Sequence, residues 1–140
     1  MSRLFLLVTQ RPLWVRVLFF IGISVVLLIA GLRARPIPEA FAQEDKLHHL
    51  IGFLALSLSC RLVFLRVKLH WIALGCLLTG ILIEYAQELM PLRTASPYDA
   101  LANGFGVLIG LTIAWRWMRY SSERAASPSM DVRKLHLPQK

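Results

Sequence analysis

Leu13 to Leu32 is a run of twenty residues whose one charge is Arg16, and three more apolar runs follow, at roughly Leu47 to Leu65, Leu69 to Met90 and Tyr98 to Trp117. Each run has the length a helix needs to cross a bilayer core of about 30 Å. Backbone amides in lipid find no water, so a run of this length closes its hydrogen bonds within itself and is a helix, not a strand. The apolar residues are grouped in blocks and show no two- or four-residue rhythm. A mean hydropathy of +0.58 over 140 residues fits the same class. The expected fold is all-α: a polytopic membrane protein built as a bundle of four transmembrane helices over residues 13–118. Residues 1–12 are expected to form a cytoplasmic N-terminus, and residues 119–140, rich in serine and proline after Tyr120, a disordered basic cytoplasmic tail.

The first run competes with a cleaved signal peptide, because basic residues precede it. It is long for such a segment, and no clean small-x-small cleavage site follows, so a retained first crossing is the better reading.

Basic residues orient the bundle, since lysine and arginine are retained on the cytoplasmic side. Arg3, Arg11 and Arg16 flank the first run, Arg61, Arg66 and Lys68 the connection after the second, and Arg116, Arg119 and Arg124 follow the fourth. They share one side if both termini are cytoplasmic, as expected for a multi-pass protein of the bacterial inner membrane. The net charge of +8 then sets topology and attracts anionic lipid, and no nucleic-acid partner is implied. Arg61 lies deep enough in its run to snorkel to that surface. Cys60 and Cys76 sit inside apolar runs and read as packed thiols, not as a disulfide or metal pair. No zinc spacing and no glycine-rich phosphate loop is present, so neither a metal nor a cofactor is expected.

Polar residues gather instead on the opposite side. Glu84, Gln87 and Glu88 lie three and four residues apart on one helical face, and Asp99, Asn103, Gly106 and Gly110 form a second stripe. Pro91 and Pro97 interrupt regular structure between them, with Arg93 in the connection. Asp45 suits the start of the second helix, where Lys46 and His49 share its first turn. His48 points about a hundred degrees away. Gly75 and Gly80 on the third helix, and Ala102, Gly106 and Gly110 on the fourth, are small residues that permit close helix packing. A homo-oligomer is compatible with such stripes. Glu84 is the costliest of these residues, because a carboxylate within a crossing helix costs roughly 2.5 to 3.5 kcal/mol.

Asp45-Lys46-Leu47-His48-His49, Glu84-Tyr85-Ala86-Gln87, Pro91-Leu92-Arg93, Ser96, Asp99, Asn103 and Gly106 together resemble the signature of the VanZ-like family of small bacterial membrane proteins, over about residues 45 to 112. In that pattern the histidine that follows the Asp-Lys pair corresponds to His49. The resemblance implies a role in the cell envelope. The family's founding member is linked to low-level resistance to the glycopeptide teicoplanin.

Three uses of the polar residues follow. Asp45, Lys46, His49, Glu84, Gln87, Arg93, Asp99 and Asn103 can form an outward-facing site for a lipid-linked or anionic envelope molecule, such as a lipid-linked cell-wall precursor. Arginine at position 93 suits a phosphate or carboxylate partner through its planar fork. Alternatively Glu84 or His49 serves as general acid and base on such a substrate, histidine being the residue that exchanges protons near neutrality. In the third use the polar residues only staple helices, with Arg93 paired to Glu84 or Asp99, Asn103 bonded across, and His49 bonded within its own helix.

Overall fold

The structure, a computed structural model, describes residues 11–32, 44–90 and 96–126. They fold as four helices: α1 (Leu13–Gly31), α2 (Glu44–Val63), α3 (Leu69–Glu88) and α4 (Pro97–Ala126). All four are long and apolar enough to cross a membrane, α4 over Pro97–Tyr120. Helical backbone continues to Ala126, into the segment expected to be tail. Pro97 begins α4 instead of interrupting it, because its missing N–H falls where a helix has no partner for one. Helix α2 begins one residue before Asp45, which therefore lies inside the first turn. It keeps a favourable place at the positive helix end.

The helices run alternately up and down, so α2 and α4 are parallel and lie against each other along most of their length. Phe53 and Leu56 of α2, Ile72, Cys76 and Ile83 of α3, and Val107 and Leu111 of α4 form the core. Glycines decide how closely α2 and α4 meet. A Cβ at Gly106 would strike the Leu50 carbonyl oxygen and come within 3.0 Å of the Leu54 amide, and one at Gly110 would strike Ser57 Oγ and approach the Leu54 oxygen to 2.8 Å. Ala102 is buried on the same stripe. Gly80 serves α3 in the same way, its missing side chain leaving room for Asn103 and for the Phe53 ring at 3.3 Å. Gly75 differs from the expectation: it is exposed, and a Cβ there would meet nothing within 4 Å among the described residues, so it packs against none of the other three helices.

Helix α1 is the most apolar, with a mean hydropathy of 2.6, and contributes no buried residue. Its Phe20, Ile23 and Leu27 lean on the core from outside. The outward faces of all four helices are apolar too, with Trp14, Val26, Ile81, Leu82 and Leu108 among the exposed side chains.

Basic residues collect at the end where α1 and α3 begin. Arg61 reaches that end as expected of a snorkelling side chain, donating to the Phe64 and Val67 carbonyl oxygens at 2.8 Å each and so holding the α2–α3 turn. Its other terminal nitrogen meets Met118 Sδ of α4. Arg16 likewise donates to the Leu62 oxygen at 2.9 Å. Cys60 and Cys76 are free thiols that adjoin between α2 and α3, in the half of the bundle nearer these arginines.

Candidate functional site

At the opposite end α2 and α4 begin and α3 finishes, and the polar residues of these three helices converge there. Asn103 of α4, 2% exposed, is the middle link. Its Nδ2 donates to Glu84 Oε1 of α3 at 3.5 Å, and its Oδ1 lies 3.0 Å from His49 Nδ1 of α2. The carboxylate can only accept, so the amide nitrogen faces Glu84 and the amide oxygen faces the ring. With the amide oxygen facing the ring, Nδ1 is the donor of that contact, and the tautomer with this proton has its lone pair on Nε2. His49 Nδ1 is also 3.8 Å from Glu84 Oε1. His49 thus bonds across to α4, not within its own helix.

Asp99 in the first turn of α4 is buried, and Asp45 in the first turn of α2 is half-buried. One ligating atom each from Asp45, His49 and Asp99 lie within 4.8 Å of one another. Glu84 is 8% exposed, interacts electrostatically with His49, Asp99 and Asp45, and lies near the Ser96 backbone. Its Oε2 is buried without a hydrogen-bond partner among the described residues.

Gln87 takes a different role. Its Nε2 donates to the Gly31 oxygen at 2.8 Å, satisfying a carbonyl that the end of α1 would otherwise leave open. Gly31 itself lies against α3, where a Cβ would meet Ile83 Cγ2 at 3.0 Å. Lys46 is half-buried, and His48 is exposed, 3.8 Å from Glu44 one turn back. Glu88 is exposed. Arg93 lies outside the described residues. Of the eight site residues expected from sequence, Asp45, His49, Glu84, Asp99 and Asn103 therefore meet in one place, while Gln87 ties α1 to its edge.

Beside this cluster α1, α2 and α3 enclose a cleft of about 350 Å³. Ile23, Val26, Leu27, Ile51, Ala55 and Ile83 give it apolar walls, while Asp45, His48, His49 and Gln87 lie along its polar end. Sequence reading misses it, because its walls are ordinary apolar residues. Gly31, Gly52 and Ala55 also line it, and small residues of that kind equally serve plain packing.

Replacing Gln87 with alanine should release the end of α1. The expected loss is about 0.6 to 2 kcal/mol, the range of interhelical hydrogen bonds between membrane helices. Hydrogen exchange of the purified chain checks it: amides in the last turns of α1 should exchange faster while those of α4 stay unchanged.

No family model, curated protein or solved structure matches the chain.

Proposed function

We propose that the chain is an integral protein of the bacterial inner membrane, of the VanZ-like type, that binds a lipid-linked or anionic molecule of the cell envelope. The observation that carries this reading is the cleft itself, apolar along its length and polar at the end where the buried cluster lies. An acyl or prenyl chain fits the apolar part, and its anionic head group would then lie at the polar end, on the side of Lys46 in the first turn of α2. Basic residues at the other end of the bundle favour a cytoplasmic placing of both termini, which puts the polar end outside. A role in teicoplanin resistance follows from the resemblance of the polar signature and belongs to the same proposal.

The test is binding of a radiolabelled polyprenyl phosphate to the purified chain in nanodiscs. Saturable binding near one per chain is expected, weakened at least tenfold by Ala55→Trp, which fills the cleft without touching a polar residue. Absence of saturable binding, or binding indifferent to that substitution, overturns the reading. Teicoplanin susceptibility of a sensitive host producing the native chain or Glu84→Gln at matched abundance tests the resistance role separately.

One observation favours a second reading, in which the cluster is a helix staple: the buried relay from Glu84 through Asn103 to His49 links three helices. On that reading Glu84→Gln lowers stability and leaves ligand binding intact.

A further inference from the structure

Helix electrostatics explain part of the acidic cluster and fail for the rest. Asp45 and Asp99 each stand in the first turn of a helix, where the positive dipole end favours a carboxylate. Glu84 stands near the finish of α3, where the dipole gives a carboxylate no support, and yet it interacts electrostatically with both aspartates and His49. Three acids drawn together repel one another, and Glu84 Oε2 is buried with no hydrogen-bond partner among the described residues. A cation among these carboxylates would relieve that repulsion.

Geometry agrees. Ligand atoms at about 2.0 to 2.2 Å from one tetrahedral zinc ion lie about 3.3 to 3.6 Å apart. The Asp45, His49 and Asp99 atoms, within 4.8 Å of one another, reach that spacing by small side-chain rotations. His49 is presented as metal-binding histidines usually are: Nδ1–H is held by the Asn103 oxygen, which fixes the tautomer and leaves Nε2 free to coordinate.

We propose that Asp45, His49 and Asp99 form a divalent-cation site, with Glu84 as the fourth, charge-balancing carboxylate. One imidazole with oxygen ligands suits zinc or manganese better than calcium or magnesium, whose preferred ligands are oxygens alone. The absence of a zinc motif in the sequence does not count against it, since the ligands come from two helices far apart in the chain. The site does not depend on whether a lipid occupies the cleft.

The experiment is equilibrium dialysis of the tag-free, full-length chain in nanodiscs against zinc chloride, with metal content measured by mass spectrometry. One zinc ion per chain is expected. Asp45→Asn and Asp99→Asn should each weaken binding at least tenfold, and His70→Gln at the far end should leave it unchanged. Cobalt(II) titration of the native chain guards against variants that misfold: it should give ligand-field bands without the intense thiolate band that Cys60 or Cys76 would produce, and zinc should abolish them. A folded native chain that takes up no zinc, zinc held equally tightly by both aspartate variants, or a thiolate band would each overturn the proposal.

Discussion

Gly106→Leu should cost at least about 3 kcal/mol, the upper part of the range for overpacked interiors, and should prevent the chain from purifying as a monodisperse folded species. The reason is what the side chain would meet. Gly106 faces backbone, the Leu50 oxygen and the Leu54 amide, and backbone cannot rotate aside as a side chain can. Helices α2 and α4 would have to part, taking Asn103 away from His49. Gly75→Leu is the matched control, since open space surrounds that position, and its melting temperature should stay near that of the native chain. Thermal unfolding in detergent measures both. Equal melting of Gly106→Leu and native protein would show that α2 and α4 do not meet there.

Asn103→Ala should cost about 1 to 3 kcal/mol by leaving the His49 ring nitrogen and the Glu84 oxygen without their shared partner in a buried site. A double-mutant cycle with Glu84→Gln separates the link from the residues themselves. If the relay operates, the two losses will not add: once Asn103 is gone, Glu84→Gln should cost less than it does in the native chain, or even stabilise, because it removes a stranded carboxylate. Strict additivity would mean that Asn103 and Glu84 act independently. His49→Gln gives a third corner, and its coupling to Asn103 should exceed its coupling to Glu84, in line with 3.0 Å against 3.8 Å.

Apolar run length was a reliable guide to the helices because membrane crossing ties hydrophobic length directly to helix length. The α3 start at Leu69 and the α1 start at Leu13 coincide with the starts of the runs. Helix ends were harder to read. The start of α2 at Glu44 and the end of α4 at Ala126 extend into polar sequence, where hydropathy loses sight of a helix that its backbone hydrogen bonds continue. Helical periodicity placed Glu84, Asp99 and Asn103 on inward stripes, yet it could not say which stripe faces which. That depends on how α2 and α4 rotate about each other, and Gly106 and Gly110 decide it. Gly75 and Gly80 show the same limit in miniature: two glycines on one helix, of which only Gly80 meets a neighbour. Gln87 shared the stripe of Glu84 but turned to α1, since the partner it found was a backbone carbonyl, which no pattern of residue types can announce.

Helix α1 buries none of its residues, and the Gln87 to Gly31 hydrogen bond holds it at one end while Arg16 and Leu62 hold it at the other. It is also a wall of the cleft, so under the proposed binding of a lipid-linked molecule a guest arriving from the side would displace the helix with the least to lose. Occupancy would then be governed by the guest's mole fraction among the surrounding lipids and not by its concentration in water. Two compounds with identical contacts inside the cleft would differ in apparent potency by the ratio of their partition coefficients, and membrane composition would act as a tuning variable in every binding measurement on this chain.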